Sequence, residues 1–141
     1  MYSLTLQEDN RQLVFDAVHG DRLVVACLCA AWCRTCGSYR TAFESLAFKH
    51  PEMVFLWVDV EDHADVVGDL DVDNFPTLLI QRRETVAFFG PMLPDPLVAE
   101  RLVVAVDALT DEELATQARS SEERRTWQRE ANLRALLHSA G

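Results

Sequence analysis

Two cysteines, Cys33 and Cys36, flank the dipeptide Arg34-Thr35 directly after the apolar run Leu23 to Ala31. Such a C-x-x-C pair can close a small disulfide ring reversibly, because one helical turn brings its two sulfurs together without moving the rest of the chain. In thiol–disulfide exchange the attacking species is the thiolate. If the pair opens a helix that follows a buried strand, Cys33 takes the N-cap. There, free backbone N–H groups and the positive helix end stabilise a thiolate. Cys33 is therefore the candidate nucleophile. Cys36, one turn further in, is the candidate resolving thiol, which attacks the mixed disulfide at Cys33 and releases the reduced substrate. Arg34 adds a positive charge beside the thiolate, so Arg34 and Thr35 are the positions that tune it.

The same spacing also serves zinc sites, and two more cysteines stand close by. Cys27 and Cys29 are two apart on a predicted strand and point to one face. The ordinary reading makes them small buried hydrophobes. A second makes Cys27 and Cys29 extra redox thiols, with Cys29 in a regulatory disulfide with the active pair. A third groups all four thiols, spaced C-x-C-x3-C-x2-C, into a zinc or iron–sulfur site. That spacing is short, and a rigid strand would have to fold its cysteines over the helix start. We expect no metal and no cofactor. His19, His50, His63 and His138 show no ligand spacing and are expected on the surface. The acidic stretch Asp59, Glu61, Asp62, Asp65, Asp69, Asp71 and Asp73 lacks the ordered spacing and glycine of an EF-hand and reads as a solvated face and loop.

The elements that must hold the cysteines can be read from periodicity. Leu23 to Leu28 is a near-continuous apolar run, as in a strand covered on both faces. The stretch from Arg34 to Lys49 puts Tyr39, Phe43, Leu46 and Ala47 on one helical face and ends at Pro51. Asn10 to His19 reads as a short helix with Leu13, Val14, Ala17 and Val18 on its stripe, closed by Gly20. Val54 to Val58 is a second buried strand, and Asp62 to Leu70 a further helix. Thr77 to Ile80 and Thr85 to Phe89 read as an antiparallel hairpin turning at Gln81 to Glu84, with Gly90 to Pro94 a loop. Asp95 and Pro96 then suit the N-cap and first position of a helix carrying Val98, Leu102, Ala105, Val106 and Leu109. This alternation predicts an α/β fold: a central mixed sheet with helices on both faces.

The core is expected to occupy residues 1–109. Residues 110–141 differ in character and read as a charged, amphipathic C-terminal helical extension. Thr110 with Glu113, and Ser120 with Glu123, form capping-box patterns. Packing against the domain's own surface is the ordinary expectation for such helices, and a partner-docking or dimerising arm is the functional one. The 141 residues, 49% of them apolar, suffice for one packed core. A net charge of −10 argues against a nucleic-acid partner, which needs clustered Lys and Arg. Met1 to Asp9 has no basic or apolar signal-like region, and Leu23 to Ala31 is too short to span a bilayer. The expected localisation is cytoplasmic, with no membrane partner. In a reducing cytosol, four cysteines point to catalysis, redox sensing or metal binding before structural bridging.

A second marker lies downstream in Asn74-Phe75-Pro76-Thr77, where a proline opens an otherwise apolar strand. Ala31-Trp32-Cys33-Arg34-Thr35-Cys36 together with Phe75-Pro76-Thr77 resembles the thioredoxin family over roughly residues 5 to 109, and Gly90 after the last strand agrees. The resemblance implies a thioredoxin-like fold with a cis Pro76 facing the cysteine pair. It implies that the Phe75 backbone pairs with an incoming substrate strand, and that Trp32, Phe75, Pro76, Phe89 and Gly90 form an apolar docking rim. Some positions depart from the family. Arg34-Thr35 replaces Gly-Pro, Cys27 stands where a buried Asp usually relays protons, Trp57 replaces a Lys, and Thr41 stands near the helix-kinking Pro. Proton transfer to Cys36 then falls to water or to another group such as Asp59 or Glu61.

The resulting expectation is a thiol–disulfide oxidoreductase. It exchanges a Cys33–Cys36 disulfide with protein substrates as a reductase, and is recharged by a reductase or glutathione system. The alternative is a non-enzymatic, redox-sensitive interaction module whose C-terminal tail docks a partner.

Overall fold

Leu23–Cys29 (β2) is apolar at every position and buried at every position. Such a strand needs cover on both faces. The computed structural model describes residues 3–67, 70, 72, 74–93 and 95–137. In it β2 is the middle of a five-stranded sheet formed with Leu4–Thr5 (β1), Val54–Asp59 (β3), Thr77–Arg82 (β4) and Thr85–Pro91 (β5), in the order β1-β3-β2-β4-β5. β1 and β2 run parallel to β3, while β4 is antiparallel to both β2 and β5. The predicted mixed sheet is present. Asp69, Asp71, Asp73, Pro94 and His138 lie outside the described residues.

Alternation along the strands builds two cores. Val25, Cys27 and Cys29 of β2, Phe55 and Trp57 of β3, and Leu78 and Ile80 of β4 share one face. It is covered by Arg34–Lys49 (α2) and Pro96–Asp107 (α4). α2 buries Cys36, Tyr39, Phe43, Leu46 and Ala47, an i, i+3, i+4 stripe. Asp95 caps α4 by accepting from Leu97 N–H at 2.9 Å, with Pro96 at the first position, as predicted. On the opposite face Val24, Ala26, Leu28, Leu56 and Leu79 meet Val14 and Val18 of Arg11–Val18 (α1) and Val67 of Ala64–Val67 (α3).

Local polar chemistry shifts several boundaries. The helix expected over 62–70 is confined to α3 among the described residues. Asp59 Oδ1 accepts from the N–H groups of Glu61 and Asp62, at 2.9 and 3.1 Å, and this Asx turn holds the chain out of helix until Ala64. The Gly90-Pro91 loop start is instead the end of β5, paired Leu78 to Gly90 and Thr77 to Pro91. The hairpin turns without glycine because Arg83 takes the left-handed conformation, φ 51°. Its carbonyl accepts from the buried Gln81 amide at 2.7 Å. His63, expected on the surface, is buried. Leu6 carbonyl accepts from Nε2, and Nδ1 accepts from Arg11, so the ring ties β1's exit to α1 and α3.

Among the described residues, those beyond 109 form three helices where one or two were expected: Asp111–Ala118 (α5), Glu122–Glu130 (α6) and Leu133–Leu136 (α7). The Thr110–Glu113 capping box is present. The second cap differs by one position, since Ser121 rather than Ser120 accepts from Arg124 N–H. Leu114 joins the α2/α4 core, while Trp127, Ala131, Leu133 and Leu137 join the opposite one. The tail thus wraps the free edge of β5. There the Gln128 side chain accepts from Val86 N–H and donates to Val86 carbonyl, each at 2.8 Å, as a neighbouring strand would.

Candidate functional site

Cys33 is the N-cap of α2. It is half-buried, with extended backbone (φ −83°, ψ 116°) and its N–H on the Ala30 carbonyl at 3.0 Å. Its sulfur is free. One turn on, Cys36 faces inward and is 3% exposed. The sequence reading thus placed each residue in the right setting. The pairing differs from the expected Cys33–Cys36 ring. Cys36 is disulfide-bonded to Cys29, with the two Cα atoms 5.9 Å apart. The reason lies in the strand's parity. Cys29 ends β2 with its side chain on the α2 face, directly beneath the inward side of the helix. That Cα separation lies in the range a bridge can span.

Cys27 shares this face. Its sulfur lies 3.7 Å from that of Cys29. Cys29 has no thiol proton in the disulfide, so Cys27 must be the donor. Burial pushes the Cys27 thiol well above its ordinary range, and the positive charge of Arg40 pulls it only partly back. Tyr39 is raised in the same way, by burial first and the nearby Cys27 second. The position usually held by an Asp therefore carries a neutral thiol. Arg40 stacks over Trp57 at 4.5 Å, and Trp57 packs edge-on to Phe43, so Trp57 is core.

Trp32 and Phe75 are brought together, as the rim requires. Trp32 is 69% exposed, and its ring meets Phe75 edge-on with centroids 5.7 Å apart. Its indole N–H donates to Glu61, which engages one of the two carboxylates considered as proton acceptors. The other, Asp59, lines a cleft of about 700 Å³ together with Cys36, Gly37, Arg40, Trp57 and His63. The Phe75-Pro76 peptide is cis, and Pro76 carbonyl accepts from Met92 N–H at 2.9 Å. Phe89 and Gly90 lie on β5, paired with Leu79 and Leu78 of β4. They wall a second cleft, of about 400 Å³, whose other side is α6 with Glu123, Trp127 and Glu130. Sequence reasoning missed this wall, because nothing in the helical periodicity of the tail says which edge of the sheet it covers. Among the described residues, no group of three or more His, Cys, Asp or Glu is arranged to hold a metal ion, and no helix is long and apolar enough to cross a membrane.

A strand, then a cysteine at a helix N-cap, then a cis proline opening an antiparallel strand beside an exposed tryptophan define a class of redox fold. Residues 5–91 match the thioredoxin family model, and the chain belongs to the thioredoxin family. Mouse thioredoxin is 40% identical over 67 residues, covering 48% of this chain and 64% of the relative. Mouse thioredoxin domain-containing protein 2 is 35% identical over 78 residues, covering 55% of this chain and 15% of the relative. The matches thus span less than two thirds of these relatives' own lengths. Among solved structures, thioredoxin from Trypanosoma brucei brucei superposes with a TM-score of 0.62 at 20% identity, covering 74% of this chain and 90% of the other. Another neighbour, with a TM-score of 0.59 at 23% identity, is from a complex of ferredoxin:thioredoxin reductase with thioredoxin f2; the match covers 75% of this chain and 93% of that one. These two likenesses show the fold.

Proposed function

We propose that this chain is a thiol–disulfide oxidoreductase that reduces protein disulfides, with Cys33 as nucleophile and Cys36 as resolving thiol. The observation that carries this reading is the free, half-buried Cys33 at the N-cap of a sixteen-residue helix, next to an exposed Trp32. There the sulfur stands at the positive end of the helix dipole, beside the free N–H groups of the first turn. Cys33 attacks one sulfur of the substrate disulfide, forming a mixed disulfide and expelling the other sulfur as thiolate. Cys36 then attacks Cys33, which closes the internal disulfide and frees the second substrate thiol. Trp32 and Phe75 offer an apolar landing surface, and the Phe75 backbone, ahead of cis Pro76, is the strand the substrate would pair with. A reductase or the glutathione system would restore the dithiol. The compartment we propose is the cytoplasm, where such a donor keeps thiols reduced.

Reduction of a disulfide-linked protein such as insulin, with dithiothreitol as donor, tests the reading. Wild type is expected to accelerate reduction well above the donor alone, and Cys33→Ser to abolish that acceleration. Equal rates for the two would contradict it.

A further inference from the structure

Beyond the two sulfurs that exchange at a C-x-x-C pair requires, the chain carries two more, on Cys27 and Cys29, and that of Cys29 is bonded to the resolving residue. Resting on the function proposed above, we infer that Cys29 is a second resolving residue, which takes Cys36 away from Cys33 and so returns Cys33 to the thiol state after each substrate. Cys36 is the shared member. It is one helical turn from Cys33, and it is bonded to Cys29 on the strand beneath. Both Cys29 and Cys36 are buried, at 1% and 3% exposure, whereas Cys33 reaches the surface.

The step balances without an outside oxidant. Substrate reduction leaves a Cys33–Cys36 disulfide. The Cys29 thiolate attacks the Cys36 sulfur, so the Cys29–Cys36 bond forms as the Cys33–Cys36 bond breaks. The Cys33 sulfur leaves with the electron pair and takes up, through solvent, the proton that Cys29 released. One disulfide replaces another. The departing charge lands at the N-cap of α2, among free N–H groups and within reach of water, which favours that direction. Cys27 completes the arrangement. Its thiol, kept neutral by burial, donates to the Cys29 sulfur at 3.7 Å and supports charge on the attacking atom. Cys27 is therefore a positioning residue for Cys29. The oxidised chain then presents a lone reactive thiol at its docking surface and holds its disulfide in the core.

Time-resolved disulfide mapping tests this. The reduced full chain is treated with a limiting amount of oxidised glutathione, quenched in acid, alkylated and mapped by peptide mass spectrometry. The expected sequence is Cys33–Cys36 early and Cys29–Cys36 at equilibrium, with alkylatable Cys33 lost and then regained. Cys29→Ala is expected to stop at Cys33–Cys36 with Cys33 blocked, and Cys29→Ser repeats the test with a residue closer to cysteine in size. Replacing Cys27 by Ser, which keeps a donor, is expected to preserve the late disulfide better than Cys27→Ala. A wild-type chain that ends as Cys33–Cys36, or a Cys29 variant that still regains Cys33, overturns the inference. If that happens while insulin reduction still depends on Cys33, the relay falls and the oxidoreductase reading stands. A late Cys29–Cys36 disulfide without Cys33-dependent turnover is the failure of that reading instead.

Discussion

At the scale of single residues, the chemistry rests on where each sulfur sits relative to water. Cys33 and Cys36 were legible because a helix read to begin at Arg34, straight after the apolar run, puts one at its cap and the spacing puts the other a turn inside. The partner of Cys36 was not, because a disulfide depends on a through-space distance between strand and helix, and sequence supplies only parity. Parity did place Cys27 and Cys29 on one face, and they share it. Cys27 also carries a pH consequence. Burial raises its folded-state pKa above that of the unfolded chain. Its contribution to stability is thus fully present below the ordinary thiol range and is lost as pH rises above it, because the unfolded chain gives up the proton first. The limiting slope is about 1.4 kcal/mol per pH unit, starting near pH ~8.5. Urea midpoints of the oxidised chain from neutral to alkaline pH are expected to fall more steeply for wild type than for Cys27→Ala. Parallel profiles would contradict this. Trp32 makes a separate prediction. Trp32→Ala is expected to raise KM for a protein disulfide, by roughly tenfold if about 1.4 kcal/mol of docking is lost, while reactivity with a small disulfide changes little.

Among elements, the sheet and the helices around it followed from apolar periodicity, and they hold the site by continuity. β2 runs into the cysteine motif, α2 begins at it, and β4 starts directly after cis Pro76. Short, polar-determined features were less legible. The Asx turn at Asp59 delays α3, and the two-residue β1 carries too little pattern to recognise. The protected edge of β5 was not legible either, because it depends on a side chain 42 residues away. Removing the Gln128 amide leaves the N–H and carbonyl of Val86 without that partner. Gln128→Ala is expected to lower stability by about 1–3 kcal/mol, in the range for unsatisfied, partly buried backbone groups. It should also promote edge-to-edge association. Denaturant titration and light scattering measure the two effects, and an unchanged midpoint with no association would count against the strand-mimic role.

For the whole molecule, the C-terminal helices were readable as amphipathic, but their destination was not. Leu114 enters one core, and Trp127 and Leu133 enter the other. Gln81, buried at 1%, receives Leu133 N–H at 2.7 Å and donates to Asn132 at 2.8 Å. Truncation after Leu109 is therefore expected to expose the Val86 and Leu79 surface and give a chain that unfolds at lower temperature or aggregates. Trp127→Ala alone is expected to lose about 3 kcal/mol, toward the lower end for a buried aromatic because Trp127 lies at the core's margin. The tail also shapes the surface beside β5, since α6 forms one wall of the cleft bounded by Phe89 and Gly90. The central claim, that a cysteine at the N-cap of α2 attacks protein disulfides, is tested most directly by trapping. Cys36→Ser removes the resolving sulfur, so a disulfide-bonded substrate protein should remain covalently attached, and peptide mapping should locate the bond at Cys33. An adduct at Cys27 or Cys29, or no adduct at all, would contradict the account.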